Sequence, residues 1–105
     1  MQLDQHMLDE VLRRILAVTP PIKIILFGSA ARGTMGPESD LDLLVVVPDG
    51  TPRRQTAQNI CMNLFGLETA VDVVVATEQD LQEYGDNWSL VYYPALHEGR
   101  AIYVA

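Results

Sequence analysis

The sequence has 105 residues, of which 49% are hydrophobic and 20% charged, and its formal net charge is −7. This length and apolar content predict one folded domain over residues 1–105 and exclude a disordered chain. No apolar run approaches the ~20 residues that a membrane-spanning helix needs, and residues 1–6 lack the features of a signal peptide, so we expect a cytoplasmic protein. The 7 basic residues are scattered, which argues against extended nucleic-acid binding by this chain alone.

The first half of the chain predicts a helix followed by two strands. Apolar residues at three- and four-residue spacing indicate an amphipathic helix over 3–18, which Pro20 and Pro21 end. Its exposed face carries two acid–base pairs at i, i+4 spacing, Asp9 with Arg13 and Glu10 with Arg14. The elements that follow are a buried strand over 22–27, a Gly28-Ser29 turn, a short helix over 30–32 capped by Ser29, a loop over 33–39 and a strand over 41–47.

The second half continues the alternation. A helix is predicted from Pro52 to Phe65, with Ala57, Ile60 and Leu64 towards the core and Gly66 past its end. A strand over 70–76, a helix that starts with a capping-box pair of Thr77 and Asp80, an ambiguous stretch over 86–96 and a strand over 101–104 complete the chain. The fold class is therefore α/β or α+β, with one sheet and helices packed against it.

A few single residues have simple interpretations. Cys61 lies in an apolar-periodic stretch and is predicted to be a small buried hydrophobe. His6 and His97 are isolated, and no role is assigned to them. The aromatic residues within 84–93 are compatible with a partner-binding surface or with covering the core.

Two aspartates mark the most informative stretch of the sequence. Asp40 and Asp42 are two residues apart at the start of a strand, so both carboxylates point to the same face with Cα atoms ~7 Å apart. Side-by-side carboxylates repel unless a positive charge lies between them, and Mg²⁺ is a cation that takes such oxygen ligands together with phosphates. An isolated pair of this kind is also compatible with two solvated residues on an exposed face.

A third aspartate favours the metal interpretation. Asp72 lies inside the otherwise apolar run 71–75, where a charge is costly unless it is paired or liganded. If this strand neighbours the second strand, Asp72 joins Asp40 and Asp42 on one face. Three clustered carboxylates suit a two-metal site, with ions ~3.5–4 Å apart.

The Gly28-Ser29 turn supplies a complementary feature. A glycine in a strand-to-helix turn lets backbone N–H groups approach phosphate oxygens, and the Ser29 hydroxyl is a further donor. A Gly-Ser turn alone is an ordinary tight connection, so its significance depends on the aspartates that follow it.

Taken together, Gly28-Ser29, an interval of ten residues and Asp40-Leu41-Asp42 resemble the signature of the nucleotidyltransferase (polymerase β-like) superfamily. Three sequence motifs resemble the minimal nucleotidyltransferase branch of this superfamily. They are Gly-Ser-Ala-Ala-Arg-Gly over 28–33, Ser-Asp-Leu-Asp-Leu over 39–43 and Glu-Gly-Arg over 98–100. The resemblance covers essentially the whole chain. Many family members carry arginine where this chain has Ala30, so one phosphate or partner contact is expected to be weaker here.

The resemblance implies a fold, a reaction and a set of site residues. The fold is a mixed sheet flanked by helices, and the reaction transfers AMP, or another nucleoside monophosphate, from ATP or a similar triphosphate to a hydroxyl. Gly28 and Ser29 would hold phosphates, with Arg32 and Ser39 as further phosphate-binding candidates; Arg32 is equally compatible with anchoring the loop. The metal-binding and catalytic residues would be Asp40, Asp42 and Asp72, holding two Mg²⁺ ions, with Mn²⁺ as the alternative.

The resemblance also implies a biological setting. Small relatives of this kind act as MntA-type antitoxins paired with a HEPN-domain toxin, and some attach AMP to a tyrosine of that toxin. Two alternatives remain open: an antitoxin that neutralises its partner by binding alone, and a small-molecule nucleotidyltransferase. The latter enzymes usually carry an additional helical domain, which we do not expect in a chain of this length.

Overall fold

The structure is a computed structural model that describes residues 5–28, 41–67, 70–84 and 92–105. Within these ranges the elements are α1 (Gln5–Leu16), β1 (Lys23–Phe27), β2 (Leu41–Val47), α2 (Arg53–Asn63), β3 (Val71–Thr77), α3 (Glu78–Tyr84), α4 (Tyr92–Glu98) and β4 (Arg100–Val104). The predicted strands agree with these bounds to within one residue at each end. The predicted Ser29 cap, the short helix over 30–32 and the loop over 33–39 lie outside the described residues.

The four strands form one mixed sheet in the order β3-β2-β1-β4. β1 pairs antiparallel with β2 and with β4, and β2 pairs parallel with β3. A parallel pair needs a long crossover connection, which α2 provides between β2 and β3. The predicted mixed sheet with flanking helices is therefore confirmed.

The alternation of side chains along β2 divides the core into two layers. Leu41, Leu43 and the other odd-numbered residues of β2 pack with buried residues of α1 and α2 on one face. Leu44 and Val46 pack on the opposite face against a smaller cluster that includes Ala95 of α4. Asp42 therefore lies on the face that α3 and α4 cover.

α1 and α2 are joined through the end of α2. The Arg14 guanidinium donates through Nη1 to the carbonyl oxygens of Asn63 and Phe65, each at 3.2 Å, and Asn63 Nδ2 donates to the Arg14 carbonyl at 2.8 Å. The last carbonyls of a helix lack partners within the helix, so Arg14 satisfies groups that α2 leaves free. This contact ties together the two helices that cover the larger core layer.

The predicted capping box at the start of α3 is confirmed. The Thr77 N–H donates to Asp80 Oδ2 at 3.0 Å, and the Asp80 N–H donates to Thr77 Oγ1 at 3.1 Å. Arg53 Nη1 donates to the same Asp80 oxygen at 2.8 Å, which links the start of α2 to the start of α3. The bonds from Thr77 and Arg53 lower the pKa of Asp80, the Thr77 backbone N–H contributing most.

The ambiguous stretch over 86–96 contains the start of α4. Pro94 lies in the first turn of this helix, where a missing N–H costs nothing, so a proline signal that suggests a break is compatible with a helix here. Gly99 then lets the chain turn tightly into β4, because a Cβ at this position would overlap the Ala95 carbonyl and the Ile25 side chain. α4 is therefore packed closely against β1.

Two predictions about single residues are wrong. Cys61 is exposed, because it follows Ile60 on α2 and Ile60 is the residue that faces the sheet. Arg13 does not pair with Asp9: its Nε donates to Glu10 Oε2 at 3.0 Å, while Asp9 accepts from Gln5 Nε2 at 2.9 Å. The predicted Glu10–Arg14 pair is present at 3.0 Å. No helix in the described ranges has the length and apolar character needed to cross a bilayer.

Candidate functional site

Strand pairing brings three of the predicted site residues to one end of the sheet. Phe27, the last residue of β1, pairs with Asp42 near the start of β2. On the other side of β2, Asp42 pairs with Asp72 of β3. Gly28 follows Phe27 directly, so Gly28, Asp42 and Asp72 meet where three neighbouring strands end or begin.

Asp42 and Asp72 lie on one face of the sheet. The sequence predicts this only on the condition that their two strands are neighbours, and they are. Paired residues in neighbouring strands project to the same face, and neighbouring strands lie roughly 4.8 Å apart. The two carboxylates are therefore neighbours on the face that α3 and α4 cover. Asp42 is half-buried and Asp72 is exposed.

Asp72 is more exposed than its apolar sequence neighbours predict. The apolar run 71–75 predicts a costly buried charge, but β3 is an edge strand and the Asp72 side chain reaches solvent. Burial therefore does not force Asp72 to have a ligand. Its candidacy depends on its position beside Asp42 instead.

Gly28 is packed directly against the Asp42 carboxylate. The Gly28 φ angle is +75°, a left-handed conformation that side-chain-bearing residues rarely adopt. A Cβ at this position would overlap Asp42 Oδ2 and lie 3.2 Å from Asp42 Cγ. Glycine is thus required both by the backbone conformation and by the closeness of the acid, a contact that the sequence analysis did not predict. The available signal was the position of Gly28 directly after a predicted strand, in the Gly-Ser turn that precedes the aspartates.

The remaining predicted site residues cannot be placed beside this group. Ser29, Arg32, Ser39 and Asp40 lie outside the described residues. Among the residues that are described, His, Cys, Asp and Glu side chains form no group of three that could hold a metal ion. Asp42 and Asp72 are the two predicted metal ligands whose positions are defined.

The arrangement of these residues indicates which ligands the site can bind. Two adjacent carboxylates repel each other and together attract a hard cation, for which oxygen atoms are the preferred ligands. The glycine turn beside them leaves room for the backbone to approach a phosphate oxygen. An acidic pair next to a small turn therefore fits a site for a cation and a phosphorylated substrate.

Comparison with known proteins identifies the family. Residues 7–102 match the family described as "Nucleotidyltransferase domain". A Methanocaldococcus jannaschii protein named "Putative protein adenylyltransferase" is 36% identical over 81 residues, which is 77% of each chain. The chain belongs to the nucleotidyltransferase domain family, and it is a nucleotidyltransferase; the prediction of family and enzyme class is confirmed.

Two solved structures share the fold. The structure described as a toxin–antitoxin with AMP-PNP has a TM-score of 0.61 and 22% identity, over 92% of this chain and 73% of that one. A mutant of the toxin–antitoxin MntA–HpeT has a TM-score of 0.56 and 20% identity, over 98% of this chain and 75% of that one. At these identities the likeness concerns the fold alone.

Proposed function

We propose that this nucleotidyltransferase transfers AMP from ATP to a hydroxyl group of a partner protein and acts as the antitoxin of a HEPN-domain toxin. The observation that carries the proposal is the alignment of Asp42 with Asp72 in neighbouring strands, with Gly28 packed against Asp42. The similarity to a protein named as an adenylyltransferase supports AMP as the group transferred and protein as the acceptor. The shared fold with toxin–antitoxin chains supports the partner.

Each site residue has a proposed role. Asp40, Asp42 and Asp72 would hold two Mg²⁺ ions, which when bound supply positive charge against the triphosphate. The chemistry of the donors fits, because Asp42 and Asp72 occupy paired positions in neighbouring strands and project to the same face, and carboxylate oxygens are ligands that Mg²⁺ prefers. Gly28 and Ser29 would position the β- and γ-phosphates, with Arg32 and Ser39 as further contacts on the same phosphates.

The proposed reaction needs only ATP and the acceptor hydroxyl as reactants. The oxygen of the acceptor hydroxyl forms a bond to the α-phosphorus of ATP, and the bond from that phosphorus to the bridging oxygen of the β-phosphate breaks. Pyrophosphate leaves, and the hydroxyl proton passes to Asp72. We propose a tyrosine of the toxin as the acceptor, on the resemblance to minimal nucleotidyltransferases.

A labelling experiment tests this proposal. The chain is incubated with α-labelled ATP, Mg²⁺ and the HEPN-domain protein proposed as its partner, and we expect label on that protein. Asp42→Asn should slow labelling by about 100-fold or more, because it removes a charged metal ligand. Asp9→Asn is the matched control, since Asp9 is an exposed aspartate on α1, on the opposite side of the sheet.

Two results would contradict the proposal in different ways. If the Asp40→Asn, Asp42→Asn double variant labels the partner at the wild-type rate, the catalytic assignment is wrong. If the variant that lacks all three aspartates still protects cells from the toxin, the protein neutralises its partner by binding. Mass spectrometry of the labelled protein identifies the acceptor residue.

A further inference from the structure

A groove lies on the same face of the sheet as Asp42. Its floor is formed by Ile25 of β1 and Val46 of β2, its walls are Leu81 of α3 and Leu96 of α4, and its volume is about 270 Å³. α3 and α4, which have 7 residues each, border the groove on the side away from the sheet. Leu96 retains 39% of its surface exposure, which leaves apolar area for another molecule to cover.

The groove and the aspartates are on the same side of the molecule. Val46 and Asp42 are four residues apart on β2, so they project to the same face and are separated by about 13 Å along the strand. A molecule in the groove therefore lies beside the catalytic end of the sheet without covering it. Met62 and Phe65, the two most exposed large apolar residues of the described ranges, are in or just after α2, which covers the opposite face.

The border of the groove carries charges that suit a particular occupant. α3 contains Glu78, Asp80 and Glu83 and no basic residue, and of these three acids Glu78 lines the groove. Asp80 is bound to Arg53, whereas Glu78, which lines the groove, has no ion-pair partner in the described part of the chain. Lys23 lines the β1 side and likewise has no described ion-pair partner. An apolar side chain fits the floor, a basic neighbour fits α3, and a carbonyl or carboxylate fits Lys23.

We infer that this groove docks the acceptor protein, through an apolar side chain that is flanked on the α3 side by lysine or arginine. The inference rests on the proposed modification of a protein, because a small-molecule acceptor would have no use for a groove about 13 Å from the aspartates. Docking at a distance holds the acceptor near the site while its hydroxyl reaches Asp42 and Asp72. The groove thus determines which protein is modified, and the aspartates perform the transfer.

The test compares two leucines of equal exposure. Leu96 in the groove and Leu16 at the end of α1 are 39% and 40% exposed, so Leu96→Glu and Leu16→Glu introduce the same charge at positions of similar exposure. Binding of the HEPN-domain protein to the full chain is measured by calorimetry without ATP. We expect Leu96→Glu to weaken binding by about tenfold or more and Leu16→Glu by less than about twofold. Leu96→Ala removes the same apolar side chain without adding a charge, and it is therefore less disruptive to folding than Leu96→Glu.

Kinetics and charge give independent readouts. In the labelling reaction Leu96→Ala should raise the KM for the acceptor protein, with kcat within about twofold of wild type, because the groove binds the acceptor without taking part in transfer. Glu78→Lys should weaken binding more than Asp9→Lys does, because Glu78 lines the groove, whereas Asp9 is an exposed acid on α1, which covers the opposite face. Added salt should weaken wild-type binding.

The outcomes separate this inference from the proposed function. Equal binding by the Leu96→Glu and Leu16→Glu variants overturns the groove assignment, and so does the absence of any binding by the wild type. Binding that depends on Leu96 without transfer of label supports the groove and overturns the proposed catalysis.

Discussion

The two faces of the sheet are built from different amounts of apolar material. Among the described residues, 11 form the buried cluster beneath α1 and α2, which have 12 and 11 residues. On the other face a cluster of 6 buried residues lies beneath two helices of 7 residues each. Because hydrophobic stabilisation grows with the apolar area buried, most of the stability comes from the first face. The second face keeps its carboxylates and a groove accessible.

The strongest test of this comparison uses two adjacent residues of β2. Leu43 is fully buried on the α1–α2 face, whereas Asp42 faces the other way. We expect Leu43→Ala to lower the free energy of unfolding by about 2–5 kcal/mol, since it leaves a cavity in a packed core. Asp42→Asn should leave stability within about 1 kcal/mol of wild type, because asparagine keeps the size of the side chain and leaves no cavity. Urea unfolding measures both, and comparable destabilisation by the two variants would contradict the division.

A smaller effect is expected at the glycine beside Asp42. Gly28→Ala places a methyl group against the Asp42 carboxylate in a left-handed conformation, so we expect about 1–2 kcal/mol of destabilisation and a loss of nucleotidyl transfer. Gly50→Ala is the matched control, because Gly50 has a φ of +89° but a Cβ there meets no atom within 4 Å. Unfolding experiments measure the destabilisation, and labelling measures nucleotidyl transfer. If Gly50→Ala is destabilised to a similar extent but keeps transfer, the loss of transfer in Gly28→Ala is due to the contact with Asp42. Equal activities of the two variants would refute that assignment.

The sequence predicts the local elements well and the positions of single side chains less well. The run 41–47 is apolar and β-branched and directly indicates β2, and the Thr77 and Asp80 pair indicates the start of α3. In contrast, the exposure of Asp72 follows from the edge position of β3, and strand order is a tertiary property. The burial of Cys61 was also mispredicted from the sequence. Cys61 follows buried Ile60 on α2, and a shift of one residue along a helix is enough to turn a side chain from the core towards solvent.

The candidate site was partly predictable for the same reason. The spacing between Gly28 and Asp42 is a local pattern, and it predicts a turn and an acidic strand start. The alignment of Asp42 with Asp72 required the parallel pairing of β2 and β3, which the sequence only suggests through an intervening helix. The groove lined by Leu81 and Leu96 was not predicted, because it forms between helices that are distant in sequence.

The capping box tests how the second face is stabilised with so few buried residues. Asp80→Asn should cost about 0.5–2 kcal/mol at pH 7, because the charged carboxylate accepts bonds from Thr77 and Arg53. These bonds lower the Asp80 pKa in the folded state, so their contribution is present above the unfolded value of about 3.9 and is lost as the pH falls through the lower folded value. The difference between wild type and variant should therefore shrink in acid. Thermal unfolding from pH 7 to pH 2 measures it, with Glu83→Gln as an exposed control; a constant difference would contradict this account.

The smallest effect on stability is expected at the solvent-exposed surface of α1, the helix that covers the larger core layer. Glu10 accepts bonds from Arg13 and Arg14, and these bonds, Arg13 first, lower the pKa of its carboxyl. All three side chains reach solvent, so screening by water and ions leaves little net stabilisation. We expect Glu10→Gln to lower the Tm less than any of the destabilising substitutions above, and the difference to vanish near 1 M NaCl, where the screening length is only about 3 Å. A decrease in Tm as large as that of Leu43→Ala, persisting at high salt, would mean that surface pairs rather than buried apolar area stabilise this face.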